Sequence, residues 1–293
     1  MIEPEQAIDQ VNDLFGRHPG YRALHAKGAF YAGTFTATAA AAELSKAGHL
    51  QGSPVSIRVR WSNGSGNPEH SDSADDVRGM AISFRLTDGT ATDLLGQTAP
   101  RFPVRTPEAF LALTRAVQKP YLLPLFLARN PSAFPALLAT IKSKATSSPS
   151  SYAEVTYYPV HAYKWVAAAG SATWVRYRLT PKTGSRPAGS FEGGDRLREE
   201  IAARLAAGAV EFTLEVQKAQ PGDNPDDPMA LWSGDFFDAG TLSITGPDPD
   251  RETNGEIVVF DPTRVVEGIE LSADPILLYR SAAYSASVSR RVE

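Results

Sequence analysis

Hydrophobic and polar positions alternate over several short runs of this chain and recur at helical spacing over others. Val55-Ser-Ile-Arg-Val-Arg-Trp-Ser62 alternates apolar and polar, which predicts a half-buried strand. Gly79-Met-Ala-Ile-Ser-Phe-Arg-Leu86 and Val210-Glu-Phe-Thr-Leu-Glu-Val-Gln217 read the same way. Residues 29–38, 160–167, 173–179, 240–245 and 256–260 have strand composition, with turns such as Thr87-Asp-Gly89 and Ala169-Gly170 between them. Helical spacing marks 3–15, 106–118 and 195–207, with Pro107 at a first helical turn. Residues 119–150 read as Pro-, Ala- and Ser-rich helices and loops. The strands fall into two groups around this insertion, without the strand–helix–strand rhythm of a parallel sheet. The pattern predicts an α+β fold on an antiparallel sheet of seven or eight strands, closed into a barrel. The acidic stretch 221–228 is too short for a linker and reads as a surface loop, so one domain over 1–293 is expected.

Composition then narrows the chemistry. With 42% hydrophobic and 21% charged residues, the balance is that of a globular protein, and 293 residues suffice for one large core. Cysteine is absent, which excludes disulfides, thiolate zinc sites, Fe–S clusters and a cysteine nucleophile. No Lys/Arg run supplies the footprint of nucleic-acid binding. No apolar run is long enough to span a membrane, and the polar, acidic opening has no signal-peptide character, so a cytoplasmic setting is expected. The five histidines are scattered, which argues against a His-rich metal site. The glycine-rich 63–68 lacks the Gly-Lys-Ser/Thr of a phosphate-binding loop.

One pair near the end carries more specific chemistry. Arg280 and Tyr284 are four apart, after the apolar Pro275-Ile-Leu-Leu-Tyr279. On a helix they sit one above the other. A guanidinium beside a buried phenol favours the phenolate, and tyrosinate is among the few axial ligands of haem iron. Taken alone, such a pair is more often a core tyrosine near a surface arginine.

Other stretches change that weighting. Arg22-Ala-Leu-His25-Ala-Lys-Gly28, Val59-Arg60-Trp61-Ser62 with Asp76-Val-Arg-Gly-Met-Ala81, and Asp93-Leu-Leu-Gly96 with Pro100 and Phe102 resemble successive blocks of the haem catalase family. Tyr158-Pro-Val-His161-Ala-Tyr-Lys164 is similar to that family's Tyr-x-x-His-x-Phe-Lys. Asn224-Pro-Asp-Asp227 with Trp232 has the spacing of a later loop, and Phe260-Asp-Pro262, Gly268-Ile-Glu270, Ser272, Asp274, Arg280 and Tyr284 resemble the proximal block. Their shared order over residues 22–291 is the strong signal. The chain is much shorter than a full catalase and looks like the catalase-related peroxidases, the minimal branch.

The resemblance implies an eight-stranded β-barrel with helical insertions, haem b, and peroxide chemistry. It implies His25 as the distal histidine, Ser62 as the serine that orients it, and Phe102 and Phe110 as aromatics against the haem. It implies Tyr284 as the iron ligand, Arg280 beside it, and Asp274 and His161 as partners of that arginine. Arg22, Arg60 and Arg291 match the propionate arginines. One departure stands out: the family's distal asparagine is here Gln97, one methylene longer. The expected activity is reduction of hydrogen peroxide or organic hydroperoxides through a ferryl intermediate, with oxidation of a small organic reductant and weak catalase activity. A fatty-acid hydroperoxide rearrangement enzyme and a non-catalytic haem carrier or sensor are the alternatives. A homodimer is expected, with 119–150 as a candidate surface.

Overall fold

The computed structural model describes residues 1–248 and 257–292. The alternating runs form one antiparallel sheet of β1 (Gly28–Ala37), β2 (Val55–Asn63), β3 (Arg78–Arg85), β4 (Ala91–Gln97), β5 (Tyr163–Val166), β6 (Ala172–Pro181), β7 (Val210–Lys218), β8 (Phe236–Pro247) and β9 (Ile269–Leu271). Their order is β4-β3-β2-β1-β8-β7-β6-β5-β9. The sheet curls because its inward side chains share one core: Phe35, Trp61, Ile82, Leu94, Trp165, Leu179, Phe212, Leu242 and Ile269, one from each strand, belong to a single buried cluster. The free edge of β4 is covered by chain flanking β5 and β9. Gln97 bridges to Tyr158, Asp93 N donates to Arg264 O at 3.1 Å, and the Asp93 carboxylate accepts from Asp261 N at 2.8 Å.

The helices are α1 (Pro4–Phe15), α2 (Ala39–Leu44), α3 (Pro107–Gln118), α4 (Leu123–Arg129), α5 (Ala133–Lys142), α6 (Arg196–Ala207) and α7 (Pro275–Val292). α3 begins where expected: Pro107 fills its first turn and the Thr106 side chain accepts from Ala109 N at 3.2 Å. α1, α3 and α7 form a layer outside the sheet. Ala7 and Val11 of α1 pack with Leu111 of α3 and Tyr279 of α7, and Arg290 grips Asp9 at 2.7 and 3.0 Å. A separate cluster of Val104, Leu113, Ala116, Phe126 and Ala133 holds α3, α4 and α5 together.

The α+β class and the wrapped antiparallel sheet agree with the sequence pattern; the details differ. Nine strands occur among the described residues rather than seven or eight. β9 is three residues long, too short for a period to register, and β4 places Asp93 amid apolar neighbours. β5 starts at Tyr163 rather than 160, because Pro159 precedes it without a ladder partner. Residues 257–260 form no strand; Phe260 instead stacks on Phe30 at 6.1 Å, and Glu256 lies outside the described residues. β2 is not half-buried. Ile57, Val59 and Trp61 face the core, yet Arg58, Arg60 and Ser62 on the opposite face are buried too. Charged side chains leave water only where other groups receive them, so this second face marks the site. Among the described residues, no helix is long and apolar enough to cross a membrane.

Candidate active site

Strand register lays the floor of the site. Gly28 pairs with Ser62, Ser62 with Gly79, and Gly79 with Gln97, giving a row across four strands. The next row on the same face is Phe30, Arg60, Ala81 and Leu95. α1, α3 and α7 roof this face, and between sheet and roof lies a cavity of about 270 Å³. It is lined by Arg22, His25, Arg60, Ser62, Gln97, Phe102, Phe110, Arg280, Tyr284 and Arg291, ten of the twelve residues singled out from the sequence. His161 and Asp274 do not line it; they stand behind Arg280.

His25 is held in a costly conformation. Its φ is 55°, in the left-handed region; for a non-glycine residue this costs on the order of 1–2 kcal/mol. Flanking backbone bonds impose it: His25 N donates to Gly64 O at 3.1 Å and Ala26 N to Ser65 O at 3.0 Å. The ring then reaches Ser62, with Nδ1 3.0 Å from Oγ. Gly79 makes the room, since a Cβ there would stand 2.8 Å from the imidazole and 2.9 Å from Ser62 Oγ. Gly28 does the same for Arg60, where a Cβ would come within 2.6 Å of the guanidinium carbon. Burial, then the Arg60, Arg280 and Arg22 guanidiniums, push the His25 imidazole down to about 3. The ring is therefore neutral at physiological pH, with one N–H and one lone pair.

The roof side is a directed hydrogen-bond chain. Helical spacing puts Ile276, Arg280, Tyr284, Val288 and Arg291 on the cavity-facing stripe of α7. Arg280 Nε donates to the Tyr284 hydroxyl at 2.8 Å, and Nη2 donates to the same oxygen. Nη1 donates to His161 Nε2 at 3.0 Å. Arginine has only donors, so Nε2 must accept and the His161 proton sits on Nδ1. That proton is donated to Asp274 Oδ2 at 2.6 Å. Burial lowers the His161 ring's proton affinity, which agrees with a neutral imidazole. The other Asp274 oxygen accepts from Ile276 N at 2.8 Å, starting α7. The chain thus aims two guanidinium N–H groups at one phenol oxygen.

The remaining residues fill the rest of the cavity wall. The Arg22 and Arg60 guanidiniums lie 6.0 and 5.7 Å from the Phe30 ring centroid. Arg291 is buried in the last turn of α7. Phe102 and Phe110 stack at 5.5 Å, and Phe102 lies 6.2 Å from the His161 ring. Gln97 exchanges backbone bonds with Tyr158 at 3.2 and 2.7 Å and shares the Ser62 row. Sequence reading overlooked Gly79, Tyr158 and the α1 residues Ala7, Ile8 and Val11 as lining. A glycine inside a strand signals close approach, which was the available clue for Gly79; α1 offered none.

These groups suit haem. The wall is largely apolar, four arginines line it, and a phenol oxygen that accepts two hydrogen bonds and a neutral imidazole come from opposite layers. Among the described residues, no group of three or more His, Cys, Asp or Glu side chains offers a site for a bare ion. The donor set therefore fits an iron that brings its own equatorial nitrogens.

Two outcomes follow from the geometry. Gly79→Ala should displace the His25 ring and break its bond to Ser62 while the fold survives; a crystal structure with an unmoved imidazole would contradict this. His25 and His49 are both held down to about 3 in the folded chain by burial, against 6.5 for a free imidazole. Between those values the unfolded chain binds the protons, so their contribution to stability is complete above about pH 7 and falls as pH drops through that window. Raised carboxyls at Asp76 and Asp93 act oppositely, only toward the acid end. For the haem-free protein, the denaturation midpoint should be lower near pH 5 than near pH 7.5, and the His25 ring signals in NMR should show no titration between about 5 and 8. A His25 midpoint inside that range would contradict the assignment.

Comparison with known proteins places the chain. A family model described as Catalase matches residues 5–293. A catalase-related peroxidase of Mycolicibacterium paratuberculosis is 47% identical over 297 residues, covering 99% of this chain and 95% of that protein. A catalase-related peroxidase of Synechococcus elongatus is 28% identical, covering 99% and 89%. Among solved structures, a fungal catalase superposes with a TM-score of 0.78 at 21% identity, and catalase A of Saccharomyces cerevisiae with 0.77 at 18%. Those matches take in 97% of this chain but only 62% and 63% of the larger catalases, and at such identity they show a shared fold. The chain belongs to the catalase family, whose members generally bind haem.

Proposed function

We propose that this chain is a haem b peroxidase that reduces hydrogen peroxide or organic hydroperoxides at the expense of a small organic donor. One observation carries the reading: the His25–Ser62 pair on the sheet side and the Asp274–His161–Arg280–Tyr284 chain on the roof side open into one cavity. The two relatives named catalase-related peroxidases support it. A haem carrier needs the Tyr284 side alone and has no use for a strained, oriented histidine across from it.

Tyr284 would hold the iron through its phenolate, Phe102 and Phe110 would flank the macrocycle, and Arg22, Arg60 and Arg291 would pair with the propionates. Bound haem supplies an iron that accepts a peroxide oxygen and the two oxidising equivalents released when the O–O bond breaks. The side chains handle the protons. One peroxide oxygen must lose a proton and the other must gain one before it can leave as water. With Nδ1 engaged by Ser62 Oγ, His25 Nε2 is assigned as the base that takes the proton and returns it. Its proton affinity is low partly because Arg60, Arg280 and Arg22 face it. Propionates among two of those arginines would cancel much of that field and raise His25 toward a working value.

Gln97 bears on the balance of two outcomes. Disproportionation needs a second peroxide accurately positioned; donor oxidation needs only contact with the donor. A misplacement of about 1 Å can cost on the order of a hundredfold in rate, and a glutamine amide is displaced from an asparagine amide by about one methylene. Donor oxidation should therefore exceed dioxygen release in the natural protein. Gln97→Asn should raise dioxygen release and leave donor oxidation nearly unchanged, while His25→Ala should depress both. Oxygen-electrode and dye-oxidation assays on the three haem-loaded proteins decide it. Equal changes in both activities for Gln97→Asn would remove its role, and dioxygen release by the natural protein that rivals its donor oxidation would overturn the peroxidase reading.

A further inference from the structure

Six large apolar side chains are exposed on the helical insertion: Val117, Tyr121, Leu125, Phe134, Leu138 and Ile141. Val117 lies in the last turn of α3, Tyr121 follows the break at Lys119 in the short turn leading into α4, Leu125 lies in α4 itself, and Phe134, Leu138 and Ile141 lie along one stripe of α5. Tyr121 and Ile141 are 76% and 71% exposed, far beyond the rim of a packed core. An apolar surface of this kind normally has something to cover it.

Charge identifies the cover. Residues 109–153 contain five Lys/Arg and no Asp/Glu, in a chain with 29 and 33 of these overall. Arg115, Lys119, Arg129, Lys142 and Lys144 are all exposed. Arg129 follows Leu125 by one turn, and Lys142 adjoins Ile141. A two-fold contact with a second copy would set this basic fringe against itself, with no acid in the segment to answer it. Anionic headgroups above an apolar interior answer both features at once.

We propose that the α3–α5 insertion is a docking face for an anionic phospholipid surface, its apolar stripes entering the headgroup–acyl boundary and Lys119, Arg129, Lys142 and Lys144 meeting the phosphates. α3 gives Val117 to this face and Phe110 and Leu111 to the cavity wall, so docking holds the cavity one helix away from the lipid. The inference goes beyond the peroxidase reading and stands independently of it.

Vesicle co-sedimentation of the full chain tests it, with phosphatidylcholine vesicles and with vesicles in which about a third of the lipid is phosphatidylglycerol, near 0.1 M salt. The protein should sediment with the anionic vesicles and remain in solution with the neutral ones. Lys142→Glu with Lys144→Glu should weaken binding roughly tenfold or more. Phe134→Ser with Ile141→Ser should abolish it, and circular dichroism should report both variants folded. Equal sedimentation with both vesicle types, no sedimentation, or binding that survives the charge reversals would overturn the proposal. So would a dimer in the ultracentrifuge that the serine variant splits while no vesicle binding is seen, which would assign the face to a second copy.

Discussion

Asp274 cannot be left alone. It is 0% exposed, and a carboxylate so placed must be satisfied by neighbours or be protonated. His161 Nδ1–H and the start of α7 supply the bonds, and that choice fixes everything downstream. With the proton on Nδ1, Nε2 accepts from Arg280, and two of the remaining guanidinium donors turn onto Tyr284. No member of the chain can reverse its direction, because arginine has no acceptor. Removing one link strands a buried polar group, which typically costs about 1–3 kcal/mol. The phenol oxygen is thereby held in one place.

The same short segment ties this chain to the opposite wall. Tyr158 bonds to Gln97 at the end of β4, and His161 follows three residues later. Gln97 stands in one row with Gly79 and Ser62, and Ser62 bonds the strained His25. Residues 158–161 therefore link the row that faces His25 to the arginine that faces Tyr284. The cavity keeps its width because both walls hang from one connection and from a sheet whose core includes residues of every strand.

The elements legible in the sequence were those whose pattern is local. β2, β3 and β7 alternate cleanly, and Thr106 with Pro107 announces α3. β9 is too short to show a period, and β2's second buried face was invisible because Arg58, Arg60 and Ser62 read as solvent-facing until the helices roofing them were known. Beyond the four-residue spacing of Arg280 and Tyr284, the site was legible only through resemblance to the catalase family. Arg22, Arg60 and Arg291 are brought together by topology, and nothing local in the sequence joins them. The φ of His25 and the space left by Gly79 are likewise tertiary facts: each depends on a partner strand or loop. The packing of α1 against α7 spans nearly the whole chain, which no periodicity reports.

The central claim is that Tyr284, oriented by Arg280, is the ligand for which the buried chain exists. Absorption and electron paramagnetic resonance spectra of the natural protein and of Tyr284→Phe, each expressed with haem available, test it most directly. The account predicts a ferric high-spin tyrosinate spectrum from the natural protein and loss of most haem from the variant. A variant that keeps its full haem content and an unchanged spectrum would contradict it.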